Sequence, residues 1–138
     1  AAALVIGDDA LYVYHHQQNG LYYYDIGTEW TKLTGQFMVY AVWVADKKFV
    51  SERHDMLQLI YDRVIRGFAN GLRKKDAAIR SVVPDKPFTF AQLSEYLEVI
   101  KWDLGDSQLE GLRTFYRLAY GMGLIPFVPK LEIADVRR

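Results

Sequence analysis

The chain has 138 residues, of which 51% are hydrophobic and 14% aromatic, enough for one domain with a real core and too apolar for intrinsic disorder. Seventeen Lys and Arg stand against seventeen Asp and Glu, so no net field draws in nucleic acid or an anionic membrane surface. The absence of cysteine excludes disulfides, thiolate metal sites and a Cys nucleophile, and no apolar run reaches the length that spans a bilayer.

The chain opens on Ala1-Ala2-Ala3 rather than Met, so a preceding segment, with any signal peptide, is expected to be absent from it. Ala1 to Ile6 is small and apolar and stops at Gly7-Asp8-Asp9, which predicts a strand followed by a turn. A strand ending in Gly7-Asp8 would place a flexible backbone and a carboxylate where open α/β sheets bind ligands, with a plain Asp-capped turn as the simpler reading. The adjacent His15 and His16 share no metal-ligand spacing with a Cys, Asp or Glu, so His15 to Gly20 reads as an exposed polar loop. Leu21-Tyr22-Tyr23-Tyr24 then predicts a short aromatic strand with packing as its role.

Thr28 is expected to cap a short helix carrying Trp30 and Leu33, with Gly35 to end it. Phe37 to Ala45, FMVYAVWVA, has no polar face and predicts a strand covered on both sides, in the middle of a sheet. Asp46-Lys47-Lys48 reads as a charged turn, and Ser51 as the start of a long helix. Its apolar stripe is Leu57, Ile60 or Tyr61, Val64, Phe68 and Leu72, with fraying expected near Arg73-Lys74. Thr89 and Gln92 form a capping box flanked by Phe88 and Leu93, opening a helix that buries Leu93, Leu97 and Ile100. Asp106 is expected to cap a last helix with Leu109, Leu112, Phe115 or Tyr116, and Ala119 inward; Gly121 and Gly123 end it.

Three blocks carry a resemblance. They are LVIGDDAL at residues 4–11, YDIGTEWTKLTG at residues 24–35 leading into Phe37 to Ala45, and DLG at residues 103–105 with LEGLRTFY at residues 109–116. In this order and approximate spacing they resemble chorismate dehydratase of the futalosine route of menaquinone biosynthesis. The match covers nearly all of this chain but only the C-terminal half of that family's usual length. One departure is Gln36, where the family usually has a proline.

What the resemblance implies is a two-lobed fold similar to type II periplasmic binding proteins. This is an α/β architecture with a mixed sheet, helices on both faces and an N-terminal portion missing. Residues 1–20 would finish the second lobe and cross over, and residues 21–138 would form the C-terminal part of the first lobe. The implied activity is a cytoplasmic hydro-lyase that removes water from chorismate to give 3-[(1-carboxyvinyl)oxy]benzoate, with no cofactor and no metal. Gly7, Asp8, Phe37, Met38 and Tyr40 are the expected substrate-binding residues, Met38 and Tyr40 reading equally well as core. No catalytic residue is assigned. Because substrate carboxylates would repel Asp8, its carboxylate is expected to face the substrate hydroxyl or to orient another side chain. The expected partner is the small-molecule substrate, with no nucleic acid and no membrane. An exposed sheet edge would favour association with the missing lobe or with another copy of the chain. A non-catalytic solute-binding or sensory protein for a small carboxylate is the alternative on the same fold.

Overall fold

Every regular element among residues 1–136, the portion that the computed structural model describes, is a helix. The elements are α1 (Gly7–His15), α2 (Ile26–Thr34), α3 (Lys47–Glu52), α4 (His54–Arg73), α5 (Lys75–Val82), a single 3-10 turn (Val83–Asp85), α6 (Phe90–Val99) and α7 (Asp106–Gly121). The mixed α/β sheet is therefore overturned. A strand is defined by a neighbour to which it hydrogen-bonds, and no segment among the described residues finds one. Residues 1–6, 21–25 and 37–46, all expected to be strands or to flank them, run instead as non-helical, unpaired backbone. The run expected to be covered on both faces is open, with Trp43 80% and Val44 87% exposed. A lack of polar residues reports what a segment needs to bury, and the burial itself depends on a partner surface.

The chain forms two compact units, one of residues 1–24 and 71–101, the other of residues 25–70 and 102–136. In the first, α5 packs on α6, and the buried side chains are Ile79, at 2% exposure, and Phe88. Arg80 lies over the Phe90 ring at 4.8 Å, and Lys75 on α5 meets Glu98 on α6 at 3.0 Å. The capping box holds as expected. Thr89 accepts from the Gln92 backbone N–H at 3.2 Å, and the Gln92 carboxamide accepts from the Thr89 N–H at 2.8 Å. The helices α1 and α5 depart from the sequence reading. The expected turn at Gly7-Asp8 is the first turn of α1, where two carboxylates, Asp8 and Asp9, suit the positive end of the helix. The loop expected at His15-His16 is in part the end of that helix: His16 stacks on Tyr12 at 4.1 Å, and its Nδ1 lies 2.8 Å from the Tyr12 carbonyl. The fraying expected near Arg73-Lys74 is a break between α4 and α5. Tyr22 and Tyr24 are exposed rather than packed, while the Tyr23 hydroxyl accepts from the Gln18 N–H at 3.0 Å.

In the second unit the long helix begins later than Ser51. Asp46, expected in a turn, caps α3 by accepting from the Phe49 N–H at 3.0 Å, and α4 starts at His54. The inward stripe of α4 is Leu57, Tyr61, Val64 and Phe68, so Tyr61 rather than Ile60 turns inward, and Leu72 lies outside at 53% exposure. Phe68 meets Trp102 with ring centroids 5.2 Å apart. In α7, Leu112 and Ala119 are buried and Tyr116 is half-buried. Gly105, one residue before the expected Asp106, is the N-cap, and its N–H donates to the Gln108 carboxamide at 3.1 Å. Gly123, at φ 70°, ends this helix region in the left-handed conformation that glycine adopts freely.

Replacing Ile79 by Ala removes the most deeply buried side chain of the first unit, and a loss of about 2–5 kcal/mol is expected, read as a lowered urea midpoint. A second prediction concerns the tail. Glu132 lies between Lys47 at 2.8 Å and Lys130 at 2.9 Å. Hydrogen bonds from those two ammonium groups, Lys47 first, hold its carboxyl down to about 2. Its folded pKa is depressed, so its contribution is complete above the ordinary value of 4.5 and is lost as pH falls towards 2. Lys47→Ala should raise the Glu132 midpoint, followed by NMR titration of its side-chain carboxyl, and high salt should do the same because the group is solvent-facing.

Candidate functional site

The second unit carries an open groove of about 420 Å³ lined by Asp25, Gly27, Thr28, Thr31, Lys32, Met38 and Tyr40. One wall is the first two turns of α2 and the other is the extended segment that follows it. The helix starts where it does because Asp25, with extended backbone, accepts from the Thr28 N–H at 2.7 Å. Asp25 is thus the cap and Thr28 the third helical residue, correcting the expected cap at Thr28. Gly35, at φ 69°, ends the helix as expected. The chain then reverses with help from threonines: Thr34 Oγ1 donates to the Trp30 carbonyl at 2.8 Å and accepts from the Gln36 N–H at 3.1 Å. A proline at residue 36, usual in the family that the sequence resembles, has no N–H to make that second bond. Thr31 Oγ1 lies within reach of the Gly27 carbonyl at 3.0 Å and the Gln36 carbonyl at 3.2 Å.

Two glycines set how closely the walls approach. At Gly27 an added Cβ would overlap the Tyr40 hydroxyl, and at Gly111 it would overlap the Phe37 carbonyl. Gly111 therefore stands where only a bare backbone fits, whereas at Gly27 the neighbour is the end of a side chain that would have to move. The Phe37 carbonyl also accepts from the Trp30 indole N–H at 3.2 Å, and the Trp30 ring meets Phe115 of α7 with centroids 5.8 Å apart. Residues from the DIGTEW and GLRTFY blocks, far apart in sequence, thus converge on one backbone carbonyl.

Most of the Tyr40 ring is exposed, but its hydroxyl end is tucked against the start of α2. Burial of that end and the nearby Asp25 carboxylate push the phenol pKa up, while hydrogen bonding from the Gly27 N–H pulls it part of the way back. Tyr40 is therefore a neutral phenol at physiological pH. Lys32 on the rim pairs with Glu29 at 2.8 Å. The groove offers hydroxyls, a phenol, a thioether and a paired ammonium. Asp25 lines the groove with one carboxylate oxygen already accepting from the Thr28 N–H. Among the described residues no group of three His, Cys, Asp or Glu converges to hold a metal, and no helix is long and apolar enough to cross a membrane.

Of the sequence-predicted site residues, Met38 and Tyr40 line the groove, whereas the Phe37 side chain does not and only its carbonyl is engaged. Gly7 and Asp8 belong to the other unit. There Gly7 opens α1 at φ 63°, and the Asp8 carboxylate pairs with Lys86, whose pKa it raises. Sequence reasoning missed Thr28, Thr31 and Lys32 as groove residues. The helical spacing of three and four within DIGTEWTK places them on one face and was the signal available.

The fold is helical and the groove in its second unit is open, and the comparisons supply the protein's class. A family described as menaquinone biosynthesis matches residues 1–121, most of the chain. The chain belongs to that family, the assignment to which its resemblance to chorismate dehydratase points, and its role is in menaquinone biosynthesis. No curated protein and no solved structure matches it.

Tyr40→Phe removes the hydroxyl that meets the start of α2, and a loss of about 0.5–1.5 kcal/mol is expected, measured as a lower thermal midpoint. Gly111→Ala should cost more, since its methyl group would overlap the Phe37 carbonyl, a backbone atom that cannot rotate away as a side-chain end can.

Proposed function

We propose that this protein is a hydro-lyase of the chorismate dehydratase type, acting on chorismate in the cytoplasm. The observation that carries the reading is membership of the menaquinone-biosynthesis family over residues 1–121, together with the DIGTEW and GLRTFY blocks meeting beside the groove. In the proposed reaction one C–O bond and one adjacent C–H bond of the cyclohexadiene ring break, a ring double bond forms, and water leaves. The product ring is aromatic, so much of the driving force lies in the substrate. The protein is left chiefly with holding it and assisting one proton transfer.

Met38 and Tyr40 are proposed as substrate wall. The Tyr40 phenol, neutral and with its oxygen accepting from Gly27, keeps its own O–H free to donate to a substrate oxygen. The part of Gly7 and Asp8 in substrate binding is a separate proposal. With Lys86 as its partner, Asp8 is set to orient another group rather than to meet a substrate carboxylate.

The test is incubation of the protein encoded by the complete gene with chorismate, following loss of substrate and appearance of the aromatic enolpyruvyl ether. Turnover is expected, with Tyr40→Phe raising KM about two- to tenfold, the worth of one net hydrogen bond, and Asp8→Asn lowering the rate. Binding of chorismate without turnover would replace this reading by that of a solute-binding or sensory protein.

A further inference from the structure

The segment after α2 has no ladder to hold it, so its placement depends on a few discrete contacts. Two of them come from α2 itself. At its start Gly27 meets the Tyr40 hydroxyl, and one turn on Trp30 donates its indole N–H to the Phe37 carbonyl at 3.2 Å. Opposite Trp30, α7 reaches the same carbonyl across the bare backbone of Gly111. Trp30 is in turn held by its ring contact with Phe115.

We propose that Trp30 is a positioning residue for the groove: by fixing the Phe37 carbonyl against Gly111 it sets where Met38 and Tyr40 stand. The proposal rests on the reading of those two side chains as substrate wall. Met38 follows Phe37 directly and Tyr40 lies three residues on, so a shift at the carbonyl carries straight into the wall. An interaction of this kind acts on substrate binding through placement, and small displacements of a binding wall are costly. Trp30 touches the wall's backbone and is absent from the groove lining, which separates it from a residue that contacts substrate.

The experiment uses the protein encoded by the complete gene and two variants, Trp30→Phe, which keeps the ring against Phe115 and loses only the N–H, and Gly111→Ala, which keeps the N–H and displaces the carbonyl. Amide hydrogen exchange followed by NMR should show faster exchange at Gly27 in both variants, as in Tyr40→Phe, with amides inside α4 unchanged. KM for chorismate should rise about two- to tenfold in Trp30→Phe, with kcat changed less. Unchanged Gly27 exchange in both variants, or equal acceleration throughout α4, would overturn the proposal, the second because it marks a purely structural role. If the unmodified protein fails to turn over chorismate, the substrate reading falls while the exchange pattern still decides whether Trp30 positions the segment.

Discussion

One backbone carbonyl, that of Phe37, joins α2, α7 and the extended segment of the second unit. It receives the Trp30 indole N–H and lies against α7 at a residue with no side chain. A carbonyl on an unpaired segment must find a donor or face water, and here Trp30 of α2, seven residues earlier, supplies one. That bond, the Gln36 contacts of Thr31 and Thr34, and the Tyr40–Gly27 contact together hold Met38 and Tyr40 beside Thr28, Thr31 and Lys32.

That arrangement explains two glycines that otherwise look like helix defects. Gly27 and Gly111 both sit inside helices, where glycine is unfavourable by about 1 kcal/mol relative to alanine. At Gly111 the backbone of the extended segment comes too close for a Cβ, and at Gly27 the Tyr40 hydroxyl occupies the place of one. The helical cost is offset by the close approach, and each glycine falls in one of the blocks that carry the family resemblance. The chemistry of the groove follows from the same constraint, because the approach at Gly27 tucks in the Tyr40 hydroxyl, and burial first, then the nearby Asp25 carboxylate, raise its pKa.

The first unit is built differently. Its helices α5 and α6 meet through an apolar core of Ile79 and Phe88, framed by the Lys75–Glu98 ion pair and by Arg80 over Phe90. The exposed ion pairs add little by themselves, so buried apolar area is its main source of stability. The Asp8–Lys86 pair ties α1 to the residues just before α6, and Asp8, read from sequence as a ligand contact, has that lysine as its observed partner.

Local physics was legible in the sequence. The Thr89–Gln92 box, the Gly35 stop and Leu57, Val64 and Phe68 of the α4 stripe depend on residues within a turn or two of each other, so spacing identifies them, whereas the choice of Tyr61 over Ile60 and the exposure of Leu72 were decided by packing. Caps shifted by one to three residues at α2 and α7 because several capping residues compete nearby, and only the backbone geometry selects Asp25 over Thr28 and Gly105 over Asp106. The helix α5 was missed because a charged Arg73-Lys74-Lys75-Asp76 run reads as an ending, whereas Ile79 buried under α6 supports a new helix after it. Membership of the menaquinone-biosynthesis family was also carried by the sequence, in blocks that need no structure to match. Pairing between distant segments was left to the tertiary structure. Periodicity states what the run from Phe37 to Ala45 can bury, but whether it becomes a strand depends on a neighbour, and among the described residues its partners are an indole N–H, a glycine and a helix start.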